Sequence, residues 1–116
     1  MAVTIFHNPR CSKSRQTLAL LEAHGLQPRV VEYLKSPPDR ATLAALLRKL
    51  GIPARELIRR NEPEFAALGL DGPDVSDDAL LDAMASHPKL IERPIVVAGR
   101  QARIGRPPEA VLEILP

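Results

Sequence analysis

Two short apolar runs separated by a single helix constrain the fold of this chain more than any other feature. Residues 2–6, Ala-Val-Thr-Ile-Phe, are predicted to form a buried strand, and residues 29–34 contain a β-branched pair typical of a second strand. Between them, leucines recur at helical spacing from Ser12 to His24, and Gly25 supplies a C-terminal stop. This order predicts a parallel βαβ unit with a right-handed crossover.

The middle of the chain, about residues 39–90, is predicted to be helical. Asp39 and Ser76 are suitable N-cap residues. Pro53 is predicted to open a short helix that runs to Arg59 or the residue after it. Because this segment ends without a shift in composition, we expect it to be an insertion within a domain rather than a separate domain.

The C-terminal part is predicted to contain strands at residues 94–97 and 101–104 and a final helix that begins at Pro107. The complete order is therefore β-α-β, a run of helices, and β-β-α. It predicts an α/β fold in a single domain, residues 1–116, with the helical insertion at about 39–90 between the second and third strands.

The composition argues against several classes of protein. The 16 basic and 14 acidic residues leave a net charge of +2, which is too balanced to indicate nucleic-acid binding. One cysteine excludes an internal disulfide framework and a cysteine-based zinc cluster, and the three histidines lack metal-ligand spacing, so we expect no bound metal. Without a visible signal peptide or membrane-length apolar stretch, we expect a cytoplasmic protein with no membrane partner.

The one cysteine, Cys11, lies between a predicted strand and a predicted helix, in the segment HNPRCSKSR. Unpaired N–H groups at a helix N-terminus carry partial positive charge, so the pKa of this thiol should fall below its ordinary value of roughly 8.5. Arg10, Lys13 and Arg15 add positive charge, and Arg15 should lie one turn along the same helix face. The same N–H groups can bind an oxyanion, so one turn could supply both nucleophile and anion site.

Cys11 could instead be a small buried hydrophobe, as most lone cysteines are. Its polar neighbours favour a reactive thiol. Ser14 stands where a Cys-x-x-Cys protein has its second thiol, and Thr17 stands where a phosphatase-type loop has its arginine. A redox reaction would therefore need a thiol from outside the chain, either glutathione or another protein.

Other side chains near the thiol have more than one interpretation. His7, which with Asn8 precedes the thiol, could lower the pKa of Cys11 or could order the loop through a hydrogen bond. The Ser14 hydroxyl could hydrogen-bond the thiolate or cap the first helical turn. Arg93 and Arg106 each precede a proline, which favours an extended backbone. Guanidinium groups bind oxyanions bidentately, but the sequence does not bring these arginines together.

Four long segments, HNPRCSKSR, LIRRNEPEFAALGL, HPKLIERPIVV and IGRPPEAVLEIL, resemble the glutaredoxin-coupled arsenate reductase family in order and nearly end to end. The resemblance implies a thioredoxin-like mixed four-stranded sheet with a helical insertion, and a cis Arg93–Pro94 bond. It implies that Cys11 is the nucleophile that attacks arsenate. It assigns anion binding and stabilisation of the arsenylated cysteine to Arg59, Arg93 and Arg106. We also expect anion binding and support of the thiolate from His7, Asn8, Ser14 and Arg15.

The resemblance further implies glutathione as co-substrate rather than a bound cofactor, glutaredoxin as partner, and arsenite as product. One departure is Ser12-Lys13, because the best-known reductases of this type have glycine and threonine there. A side chain at position 12 changes how closely the backbone approaches an anion. The alternative is a monothiol redox or glutathionylation protein of the same fold, acting on another substrate or as a regulatory binding module.

Overall fold

The computed structural model describes residues 2–116, which form two compact units. The first unit contains the described residues up to Ser36 together with Arg93–Pro116, and the second contains Pro37–Glu92. The second unit coincides closely with the predicted helical segment. The assignment of both units to one domain stays a prediction.

The first unit is built on a mixed four-stranded sheet. Its elements are β1 (Val3–His7), α1 (Ser12–Ala23), β2 (Arg29–Glu32), β3 (Ile95–Ala98), β4 (Gln101–Ile104) and a 3₁₀ helix (Pro108–Ile114). The strand order is β2-β1-β3-β4, with β1 parallel to β2 and antiparallel to β3, and β3 antiparallel to β4. The predicted parallel pair, hairpin and four-stranded sheet are confirmed.

The core of this unit follows from alternation along the strands. Val3 and Ile5 on β1 and Val96 and Ala98 on β3 are buried, because alternate residues of a strand face the same side of the sheet. They pack with aliphatic side chains of α1 and the 3₁₀ helix, namely Leu21, Val111 and Ile114. These aliphatic contacts hold α1 against the sheet. Because α1 follows β1 after a short loop, its N-terminus lies near the end of β1.

The second unit contains the helices α2 (Arg40–Leu50), α3 (Ala54–Leu57), α4 (Pro63–Ala67) and α5 (Asp77–Ser86) and a 3₁₀ turn (Pro88–Leu90). Both predicted N-caps are confirmed: Asp39 accepts a hydrogen bond from the backbone N–H of Thr42, and Ser76 accepts one from that of Ala79. Among the described residues, no helix is both long and apolar enough to cross a membrane.

One helix boundary was predicted wrongly. The helix after Pro53 ends at Leu57 instead of continuing to Arg59 or Arg60. Ile58 is buried and forms an isolated antiparallel bridge with Ile91, flanked by a hydrogen bond of 2.7 Å from the Arg59 N–H to the Leu90 carbonyl. Extended pairing at Ile58 therefore replaces a further helical turn, and Arg59 follows it outside the helix.

Candidate active site

Cys11 is the N-cap residue of α1, at the end of the loop that follows β1. Its backbone is extended (φ −94°, ψ 123°), its side chain makes no capping hydrogen bond, and the residue is only 7% exposed. The loop turns tightly, because the Cys11 N–H donates to the Asn8 carbonyl and the Arg10 N–H donates to Asn8 Oδ1, both at 3.0 Å. The thiol is thus held at the positive end of the helix, as predicted.

Contacts of His7 and Ser14 hold this loop in place. His7 Nδ1 lies 2.6 Å from Ser14 Oγ, and the same hydroxyl oxygen accepts a hydrogen bond of 3.0 Å from the Asn8 N–H. Burial lowers the pKa of His7; Glu32 opposes this effect, and Arg15 adds to it. Because the lowered pKa favours the neutral imidazole and the ring contacts Ser14, the structure favours the interpretation in which His7 orders the loop.

Arg106 brings a positive charge to the sulfur from the far end of the chain. Its Nη2 lies 3.5 Å from Cys11 Sγ, and its Nε donates to the Arg93 carbonyl at 2.8 Å. The predicted cis Arg93–Pro94 bond is confirmed, and the Arg106–Pro107 bond is also cis. The hydrogen bond from Arg106 to the Arg93 carbonyl holds the two arginine-proline segments side by side, and both arginines act on the pKa of Cys11.

The pKa of the Cys11 thiol is lowered although the residue is buried. Burial by itself raises this pKa, and it is the largest single influence. It is outweighed by two backbone N–H groups and two guanidinium groups, in order of effect those of Ser14, Arg93, Lys13 and Arg106. The site can therefore hold a thiolate beside two guanidinium groups, which is the arrangement a nucleophile for an oxyanion needs.

Two of the predicted residues act differently from the simplest expectation. The Arg15 guanidinium donates to the Pro9 carbonyl at 3.0 Å, so it orders the loop instead of pointing its charge at the sulfur. The Ser14 hydroxyl engages His7 and the Asn8 N–H, and it is the Ser14 backbone N–H that acts on the thiol.

Arg59 belongs to the second unit, where its guanidinium forms salt bridges with Glu62 and Glu92. The first unit thus brings together Cys11, Arg93 and Arg106, with the loop residues His7, Asn8, Ser14 and Arg15 around them.

Three further residues contribute to the site without having been predicted from the sequence: Glu32, Thr17 and Gly105. Glu32 lies on β2, and its negative charge partly opposes the lowering of the His7 pKa by burial. Thr17 is completely buried and donates from Oγ1 to the Lys13 carbonyl at 2.8 Å. Gly105 lies against both Thr17 and Pro94. The one available indication was the position of this glycine, between the end of the predicted strand 101–104 and an Arg-Pro-Pro run.

Comparison with known proteins shows the family of this chain. A family model described as the ArsC family matches residues 6–114. An uncharacterized protein of Escherichia coli, YfgD, is 57% identical, covering 97% of this chain and 96% of that protein. An arsenate reductase of Rhizobium meliloti is 53% identical, covering 100% of this chain and 83% of that protein.

The structure of an arsenate reductase from Vibrio cholerae superimposes with a TM-score of 0.97 at 55% identity, covering 99% of this chain and 98% of that one. The predicted thioredoxin-like fold class, with its mixed four-stranded sheet, is confirmed. On the family match and on identities above half over nearly the whole chain, this protein belongs to the ArsC family.

Proposed function

We propose that this protein reduces arsenate to arsenite, with Cys11 forming a covalent arseno-cysteine intermediate and with glutathione and glutaredoxin supplying the electrons. The observation that carries the proposal is the 3.5 Å contact between Arg106 Nη2 and Cys11 Sγ, at a thiol whose pKa is lowered. Two of the most similar relatives are named arsenate reductases.

In the first step, the Cys11 thiolate attacks the arsenic atom. A sulfur–arsenic bond forms, an arsenic–oxygen bond breaks, and the hydroxyl leaves as water after taking up a proton from solvent. Arg93 and Arg106 bind the remaining arsenate oxygens, because guanidinium groups beside the sulfur are placed to neutralise negative charge on the incoming anion.

In the second step, a glutathione thiolate attacks the Cys11 sulfur of the adduct. The sulfur–arsenic bond breaks, its electron pair reduces arsenic from the +5 to the +3 state, and arsenite leaves. A mixed disulfide between Cys11 and glutathione remains, and a glutaredoxin thiol takes up the glutathionyl group to regenerate the Cys11 thiolate. An external reductant is needed because the chain contains one cysteine.

Arg59 is assigned to anion binding from its match to the family segment LIRRNEPEFAALGL. Its salt bridges to Glu62 and Glu92 hold the guanidinium in one orientation. Because the mechanism needs Cys11 reduced, we also propose that the protein works in the cytoplasm, where thiols are kept reduced.

The test is an assay coupled to NADPH oxidation, containing arsenate, glutathione, glutaredoxin and glutathione reductase. We expect turnover by the wild type and none by Cys11→Ser, and Ser86→Ala, at an exposed serine at the end of α5, serves as the control. Absence of wild-type turnover, together with ready glutathionylation of Cys11 by intact mass, would replace the proposal with the alternative of a monothiol redox protein. If both turnover and glutathionylation are absent, the remaining interpretation is a regulatory binding module.

A further inference from the structure

Gly105 lies directly after β4, between Thr17 of α1 and Pro94. In the β3–β4 ladder Ile95 pairs with Ile104, so Gly105, the residue directly after β4, lies opposite Pro94. The Gly105 N–H donates to the Pro94 carbonyl at 2.9 Å. The residue that follows is Arg106, whose guanidinium contacts Cys11 Sγ.

A side chain at this position has no room. An ideal Cβ on Gly105 would lie 2.5 Å from Thr17 Oγ1, 2.8 Å from Pro94 Cγ and 3.1 Å from Thr17 Cγ2. Thr17 is β-branched and completely buried, and Pro94 is a closed ring, so neither can rotate away from the added atom. Relief therefore requires the backbone at Gly105 to move away from α1 and from Pro94.

Thr17 also connects this contact to the thiol. Its Oγ1 donates to the Lys13 carbonyl at 2.8 Å, in the first turn of the helix that Cys11 caps. The atom that a Cβ would strike is thus the atom that braces this turn. Displacing it moves Cys11 relative to the guanidinium groups of Arg93 and Arg106.

We propose that Gly105 is a positioning residue of the Cys11 site: its lack of a side chain lets Thr17 of α1 and the Pro94 ring both lie against its backbone, and this packing sets the distance from the sulfur to Arg93 and Arg106. The inference deepens the proposed function, on which it rests for its catalytic meaning. It concerns the placement of the thiol, and its test requires no arsenate.

The experiment measures the rate of alkylation of Cys11 by iodoacetamide across pH in the wild type, Gly105→Ala and the control Gly72→Ala. We expect the thiol pKa of Gly105→Ala to rise by about half a unit or more, which slows alkylation about threefold below the pKa. The control should match the wild type, because a Cβ at Gly72 meets its nearest atom, Val75 Cγ2, at an ordinary 3.6 Å. A pKa in Gly105→Ala equal to that of the wild type would overturn the proposal.

A second comparison keeps the proposal testable if Gly105→Ala does not fold. Thr17→Ala removes two of the three atoms that the new Cβ would strike. In that background, adding Gly105→Ala should shift the thiol pKa less than it does in the wild type, and the double variant should resist urea better than Gly105→Ala alone. An equal pKa shift in the two backgrounds, or a double variant no more stable than Gly105→Ala, would show that the contact with Thr17 does not position the thiol. Arsenate turnover by the wild type is measured separately, and it tests the proposed function independently of the pKa shifts in these variants.

Discussion

Replacing Arg106 by glutamine tests the charge that the fold brings to the sulfur. Two unit charges 3.5 Å apart interact by about 1.2 kcal/mol at the dielectric constant of water. This free energy corresponds to about 0.9 of a pKa unit. Arg106 is exposed, so the solvent-screened figure is the appropriate one. We therefore expect Arg106→Gln to raise the pKa of Cys11 by about one unit.

The pH dependence of Cys11 alkylation by iodoacetamide measures this shift directly, because the chain has no other cysteine to react. The control is Arg100→Gln, which removes the same charge from the exposed turn between β3 and β4. That turn lies at the opposite end of β3 from Arg93, about 13 Å along the strand and beyond the screening length of about 10 Å at 0.1 M salt. An unchanged pKa in Arg106→Gln, or an equal rise in both variants, would refute the reasoning.

Two further predictions concern folding. Burial lowers the pKa of His7 in the folded protein. As pH falls, His7 is therefore protonated in the unfolded chain before it is protonated in the folded chain. The free energy of unfolding of the wild type should decrease as pH falls from about 6.5, the pKa of an unfolded histidine, through the lower pKa of the folded state. His7→Gln should show a flatter dependence in urea unfolding, and identical slopes would contradict the assignment of a buried neutral imidazole. Ser76→Ala should lower the free energy of unfolding by about 1 kcal/mol through loss of the α5 cap. Ser86→Ala, at the exposed end of the same helix, should not, and equal losses would argue against the cap.

Local chemistry made much of the site predictable. The β-branched run of β1, the leucine spacing of α1 and the polar HNPRCSKSR segment place Cys11 at a helix N-terminus without any long-range information. The hairpin followed in the same way, because β3 and β4 are joined by a Gly-containing turn. These features depend on residues that are neighbours along the chain, so they can be predicted from the sequence.

The remaining features arise from contacts between residues far apart in the chain. Arg106 reaches Cys11 across 95 positions, and no local pattern distinguishes it from an ordinary surface arginine. The early end of α3 depends on the bridge between Ile58 and Ile91, which only the folded unit creates. Arg15 was expected to face the sulfur from helical spacing alone, but the Pro9 carbonyl offered its guanidinium a hydrogen bond.

The pKa of Cys11 in the wild-type protein is the most direct test of the central claim, which is that backbone N–H groups and the guanidinium groups of Arg93 and Arg106 together outweigh the burial of the sulfur. It can be measured from thiolate ultraviolet absorbance during a pH titration. We predict a midpoint below the ordinary cysteine value of about 8.5. A midpoint at or above that value would show that burial dominates, and Cys11 would then be an inert core residue.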